Sequence, residues 1–380
     1  GNTEIGVYES LATLGTSNWI LGNQLVSGFF PNKIPNPDLK WERTGQFDIG
    51  LDLGLFNNRL RITTDYYKKK TTDLLYSVAV PATSGYQTML KNIGSIENQG
   101  YELSIESDNL TGAFSWTTAF NIAFNRNKVL ELGGEEYKEM AEGDGHLKTG
   151  SVRRLIVGEP IGVFYGYRFD GIFQNEEECK QQTSSASPIG VGLRRYKDLN
   201  GDGKVDAAND REILGDANPK FFGGLTNTFA YKGFELNVFL QYSYGNKILN
   251  YNAMELENPT GGQNAYADMV NRWTPENPSN IYPKATTNRA LLVSDRFIED
   301  GSYLKLKTLS LSYSFPKINL KHIQGLRLYV TGQNLLTWTK YRGYDPEVSY
   351  RGASTLEAGE NSGGYPQSRT FMFGIKLDIK

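Results

Sequence analysis

The chain has 380 residues and a formal net charge of -2, with 40 Lys+Arg against 42 Asp+Glu. That balance excludes a global electrostatic footprint for nucleic acid. One Cys and two His exclude a disulfide framework and a multi-cysteine zinc site, and they argue against Ser-His-Asp or Cys-His chemistry.

Aromatic residues make up 12% of the chain and Gly numbers 41, a mixture that suits many strands joined by Gly-rich turns. No run of about 18 apolar residues occurs, so no transmembrane helix is predicted. A transmembrane barrel stays open, because such a barrel shows lipid only every second side chain. The chain begins at Gly1 with neither initiator Met nor leader and reads as a piece of a longer or processed protein.

In chain order, the first clear alternation is Phe47, Ile49, Leu51, Leu53 and Leu55 against Asp48, Gly50, Asp52 and Gly54. The second is Phe114, Trp116, Thr118, Phe120, Ile122 and Phe124 against Ser115, Thr117, Ala119, Asn121, Ala123 and Asn125. Phe234, Leu236, Val238, Leu240, Tyr242 and Tyr244 form a third stripe, and Phe371, Phe373, Ile375, Leu377 and Ile379 a fourth. Each stripe covers roughly nine to eleven residues, enough for a tilted strand to cross the hydrocarbon layer. Strands of a soluble sandwich are usually about five or six residues long, so length favours a membrane barrel with a wet lumen.

Connections alternate between short and long. Asn57-Asn58, Leu110-Thr111-Gly112, Lys232-Gly233 and a turn around 316–325 are short; 78–92, 129–218, 246–302 and 340–368 are long and polar. Outer-membrane barrels have short periplasmic turns and long external loops, so the short set is expected to face the periplasm. Gly162–Asp170 reads as a strand, but as a membrane crossing it would put two short turns on opposite sides. We therefore place it inside one external excursion, 129–218. This gives about nine or ten crossings, too few for a barrel of about twenty-two strands. The remaining strands are expected from other sequence, because lipid tolerates no open edge.

The sharpest local motif is Asp198-Leu199-Asn200-Gly201-Asp202-Gly203-Lys204-Val205-Asp206-Ala207-Ala208-Asn209-Asp210. Asp198, Asn200, Asp202 and Asp206 place side-chain oxygens at positions 1, 3, 5 and 9 of a calcium loop, with Gly203 at the sharp turn and the Lys204 carbonyl at position 7. Position 12 is Asn209 rather than Glu, with Asp210 as substitute. The expected cofactor is a structural calcium ion; the alternative is a metal-free Asp/Asn/Gly turn.

Aromatic residues of the long segments, Tyr165, Tyr167, Trp273 and Tyr344 foremost, can stack on a ligand, stiffen loops or sit in an interfacial girdle. Trp273–Pro278 reads as a rigid loop or a partner contact. Glu135, Glu136 and Glu139 read as a solvated turn, and Cys179 as a loop residue. Gly223-Gly224 lacks the Lys of a phosphate loop. No catalytic residue is assigned, His146 and His322 included, and the chain is expected not to be an enzyme.

Four stretches carry a family resemblance: Phe297–Lys307, Leu326–Tyr350, Asn36–Glu42 with Asp65-Tyr66-Tyr67, and Asp198–Gly215 with Asn218–Phe221. Together they resemble the SusC/RagA family of TonB-dependent outer-membrane transporters over nearly the whole chain. The resemblance implies a barrel in the outer membrane of a Gram-negative bacterium, importing glycan or peptide oligomers with a SusD-like surface lipoprotein. It implies energy from TonB–ExbB–ExbD acting on a plug, which this sequence does not contain. The final Lys380 departs from the aromatic terminus common in outer-membrane barrels. A passive porin or surface-binding barrel is the alternative.

Overall fold

A computed structural model describes residues 10–86, 88–140, 143, 147, 149–258, 264–287, 291–315, 323–347 and 356–379. Nine strands form one antiparallel sheet: β1 (Arg43–Leu55), β2 (Leu60–Thr72), β3 (Ser95–Thr111), β4 (Phe114–Glu131), β5 (Phe221–Tyr231), β6 (Phe234–Tyr244), β7 (Tyr303–Ser314), β8 (Ile323–Thr339) and β9 (Thr370–Ile379). Their spatial order is their chain order, an up-and-down meander with no crossover.

The register shows that the apolar stripes share one face. Val238 pairs with Asn227 and Leu309, and Asn227 with Thr118. Leu311 pairs with Val330, and Val330 with Phe373. At the other end of the sheet, Phe120 pairs with Ile105, Ile105 with Ile62, and Ile62 with Leu53. Each pairing keeps its two side chains on the same side of the pleat. All nine strands therefore present one continuous, largely apolar surface.

Aromatic rings bound that surface at both ends. Near the short turns, Phe114 and Trp116 stack with Phe229 at 6.3 and 5.8 Å, and Phe234 meets Tyr313 at 4.5 Å. Toward the opposite ends of the strands, Phe221 meets Tyr244 at 5.0 Å and Phe124 at 5.9 Å. Aliphatic residues such as Val238, Leu240 and Leu309 lie between. An apolar band flanked by aromatic girdles is the outer surface of a membrane-spanning barrel.

The turns fit the strand twist. Lys232 and Gly233 have φ of 45° and 87°, the left-handed pair that a two-residue hairpin loop requires. Phe56, Asn57 and Asn58 are also left-handed, and the Arg59 amide closes that turn on the Phe56 carbonyl at 3.2 Å. The β3–β4 turn is Gly112-Ala113 rather than Leu110-Thr111-Gly112, because a bulge between Asp108 and Leu110 lets β3 run on to Thr111. β8 starts at Ile323, inside the span expected to be a turn.

Two features differ from the sequence expectation. The strands run from 10 to 18 residues, so several project beyond any hydrocarbon layer. A further hairpin, Thr13–Leu21 with Gln24–Lys33, forms its own two-stranded sheet where no strand was predicted.

Val163–Tyr167 lies outside the nine-stranded sheet and pairs with Arg211–Asp216. It belongs to a layer built from the three longest connections at one end of the sheet. Phe164, Leu249, Met254, Val293 and Phe297 form the core of that layer, each at most 4% exposed.

Candidate functional site

The site begins where β7 passes under the loop layer. Lys305 and Lys307 project from the face opposite the apolar stripe, and Lys305 is buried. Lys305 donates to Asp345 at 2.6 Å and also to Glu347, while Lys307 donates to Glu347 at 2.9 Å. Glu347 in addition accepts from Gln241 at 3.0 Å and from the Tyr303 hydroxyl at 3.2 Å. The Gly343–Glu347 segment is thus bound to the lumenal wall by charge rather than by apolar contact. Burial alone would raise the Glu347 carboxyl, but the hydrogen bonds and charges of Lys305 and Lys307 outweigh it and hold the pKa below the usual carboxylate value.

A bulge makes room for this anchor. Between Leu306 and Thr308 the β7–β8 register skips, leaving Asn334-Leu335 opposite one residue of β7. Asn334 is left-handed there, with φ of 53°. Asn tolerates that conformation better than other residues with a Cβ. Its amide also donates to the Ser368 carbonyl at 3.1 Å, tying β8 to the segment leading into β9.

A second ionic knot holds the loops to one another. Arg153 and Glu360 are buried 2.7 Å apart, with Arg153 also donating to the carbonyls of Gly162 and Ala358 and lying 4.2 Å from the Phe164 ring. Tyr251 donates to the other Glu360 oxygen at 3.2 Å. Residues from three separate connections therefore meet at one carboxylate. Nearby, Arg342 bridges Glu257 and Glu299 at 2.8 Å each.

The aromatic candidates separate. Tyr167 is 6% exposed and packs on Tyr196 at 5.7 Å, which makes it a core residue rather than a ligand platform. Tyr165 lies between the Arg154 and Arg211 guanidinium groups at 3.9 and 5.0 Å. The Trp273 indole donates to Gln174 at 3.0 Å and stiffens its loop. Tyr344 is 77% exposed, and of the four it alone offers an open ring. His146, His322, Tyr350 and Lys380 lie outside the described residues.

The Asp198–Asp210 segment is a tight Asx-turn loop. Asp198 accepts the amides of Gly201 and Gly203, both at 2.7 Å, Asn200 accepts that of Asp202, and Asp202 accepts that of Lys204 at 2.8 Å. Gly203, with φ of 81°, supplies the reversal. Asp206 pairs with the Lys204 ammonium at 3.0 Å, and that hydrogen bond is the main cause of its lowered pKa. Asp210 is buried and accepts the amides of Leu199 and Asp206, so it closes the loop instead of facing an ion. Among the described residues no three His, Cys, Asp or Glu side chains converge as a metal cage.

The sequence missed the anchoring role of Lys305, Asp345 and Glu347. The available signal was that two of the family-like stretches each carry spaced charges of opposite sign in otherwise apolar or turn-forming surroundings.

Comparison with known proteins places this geometry. The profile of the TonB dependent receptor-like β-barrel family matches residues 8–335. TonB-dependent receptor P3 of Formosa agariphila is 40% identical over 99% of this chain and 38% of its own length. TonB-dependent receptor SusC of Bacteroides thetaiotaomicron is 30% identical over 91% of this chain and 33% of its own length. The structure of the RagAB peptide transporter superposes with a TM-score of 0.79 at 27% identity, over 99% of this chain and 39% of that one. The chain thus spans well under half the length of these relatives.

Proposed function

The chain belongs to the TonB-dependent receptor-like β-barrel family of the outer membrane, and from that premise we propose that it forms part of the wall and outer loop layer of an energised importer of nutrient oligomers, glycan or peptide. The carrying observation is the contrast between the two faces of the sheet. One face is a continuous apolar band between aromatic belts; the other is polar and anchors a structured loop segment through Lys305, Asp345 and Glu347. Such a wall suits a wide lumen through which a polar substrate passes.

Among the described residues the edges of β1 and β9 carry no further partner in this sheet. Strands from outside this chain are expected to close the barrel, because unpaired backbone groups in lipid each cost several kcal/mol. The short turns face the periplasm, and the excursion from 129 to 218 lies outside the cell. On this reading a SusD-like surface lipoprotein sits over the loop layer, and TonB–ExbB–ExbD act through a plug supplied by other sequence. Uptake of labelled oligomers by cells producing the complete protein tests the reading. Import should stop when the proton-motive force is collapsed, and the lipoprotein should co-purify. Uptake that continues unchanged would make the barrel a passive porin.

We also propose that the 198–210 loop is a calcium-responsive element held by Asp198, Asn200, Asp202, Asp206 and the Lys204 carbonyl. Its Asx turns already order the backbone of the loop, and an ion would displace the Lys204 ammonium from Asp206. External modules of this kind bind calcium at about 0.1–1 mM. Chelation or Asp202→Ala should then expose 195–215 to protease and leave the sheet intact. Equal cleavage with and without calcium would reduce the loop to a metal-free turn.

A further inference from the structure

Among the described residues of the loop layer three arginines meet two glutamates, an excess of one positive charge. Glu257 is fully buried and gives one oxygen to Arg296 and the other to Arg342, both at 2.8 Å. Glu299 is held by Arg342 as well. The third arginine, Arg194, is 8% exposed; among the described residues it donates to the main-chain oxygen of Glu257, at 3.0 Å, and lies 5.4 Å from the Phe297 ring. Its Nε is buried with no hydrogen-bond partner. Desolvation lowers the pKa of Arg194, yet a guanidinium keeps its proton in proteins. A buried charge of this kind requires a counter-charge, since leaving it unpaired costs several kcal/mol.

Arg194 lines a cavity of about 30 Å³ whose polar wall includes Ser187, Tyr196 and Asn258 and whose apolar wall is Pro188, Leu193 and Pro283. That space admits one or two water-sized groups and no oligomer. The wall combines a fixed cation with the Ser187 hydroxyl and the Asn258 side-chain amide, groups of the kind that donate to an anion. We propose that this cavity binds one small monoanion, a halide or a single carboxylate group, which supplies the negative charge the cluster lacks. The bound anion would lock together the segments around Arg194, Asn258 and Arg296, which come from the connections 129–218 and 246–302. The site is separate from the lumenal anchor, although Tyr196 of its wall shares a core cluster with Val205 of the 198–210 loop, and it does not depend on what the barrel transports.

The test uses the complete detergent-solubilised protein in sodium bromide or in sodium isethionate, whose anion is too bulky for the cavity. Anomalous diffraction at the bromine edge should place bromide beside Arg194. At a bromide concentration about ten times its Kd, proteolytic cleavage through local opening of 183–300 should slow about tenfold relative to isethionate. Arg194→Gln should lose both the peak and the salt effect. Asn258→Asp supplies an internal carboxylate, so it should also lose bromide while resisting protease in isethionate. Sodium acetate that displaces bromide would identify a carboxylate as the fitting group, whereas failure to displace it would identify a halide. No bromide peak and equal cleavage in both salts for the wild-type protein would overturn the proposal. So would bromide binding that persists in Arg194→Gln.

Discussion

The nine-stranded sheet and the loop layer bury their side chains in opposite ways. Along the sheet the large apolar groups point outward: Phe47, Ile49, Phe371, Phe373 and Ile375 are each at least 60% exposed. Backbone ladders supply the order, and lipid supplies the apolar surroundings. In the loop layer Phe164, Leu249, Met254 and Phe297 are fully buried, and they are cross-linked by buried ion pairs such as Arg153–Glu360. The first region is organised for a membrane, the second for water. The joint between them is ionic, because the lumenal wall offers few apolar groups for a returning loop to pack on.

The largest effect is expected at that joint. Lys305→Met leaves Asp345 buried without its cation, and breaking a buried pair this way costs about 3–5 kcal/mol. The loss should fall on the loop: amide exchange of 343–347 should accelerate while that of the sheet stays slow. Equal acceleration across β7 and β8 would mean that the anchor belongs to the barrel's own stability, and the two-region contrast would fail.

Val238→Arg probes the other side. Val238 sits in the middle of the apolar band, paired with Asn227 and Leu309. A cation near the bilayer midplane of a barrel costs about 2–4 kcal/mol. Folding yield and heat-modified gel mobility should both drop, with protease resistance of the folded fraction's loop layer unchanged. Unaltered mobility would remove Val238 from the lipid face.

How much of this was legible in the sequence follows from the same contrast. Period-two alternation exposes a strand with one lipid face and one lumenal face, so the stripes at 47–55, 114–124, 234–244 and 371–379 could be read directly. The loop core has no period. Phe164, Leu249 and Phe297 come from segments far apart in sequence, and nothing local marks them as neighbours. Tyr167 shows the consequence: as an aromatic in a polar stretch it resembles a ligand platform, yet it is covered by Tyr196. The Thr13–Lys33 hairpin was missed because apolar residues fall on both of its faces, Trp19 and Val26 on one and Ile20 and Leu25 on the other. No alternation survives that arrangement.

A smaller effect is expected at the bulge. Asn334→Ala removes the amide that holds Ser368 and puts a poorly suited residue at φ of 53°. The strain is about 1–2 kcal/mol. Asn334→Gly keeps the conformation and loses only the hydrogen bond, so it should recover most of the difference. If both variants are equally affected, the tie to Ser368 matters more than the backbone.

The smallest effect is a pH dependence, and it separates the two regions without any mutation. The Glu347 carboxyl sits below its ordinary value of 4.5 because Lys305 and Lys307 outweigh the cost of its burial. A carboxyl whose folded pKa is depressed contributes stability that is complete above its unfolded value and is lost as pH falls through the folded one. Above about pH 5 the 343–347 anchor should therefore be insensitive to acid. Below 4.5 it should loosen progressively as Glu347 takes up a proton and Lys305 keeps only Asp345. The sheet's order rests mainly on main-chain hydrogen bonds that do not titrate, so its amide exchange, corrected for the intrinsic rate, should change less than that of 343–347 over the same window. Lys307→Met removes one of the two cations, shifts the folded pKa of Glu347 toward its ordinary value and should narrow the acid-sensitive window. An anchor that loosens between pH 5 and 7 in the wild-type protein would assign the dependence to some other group.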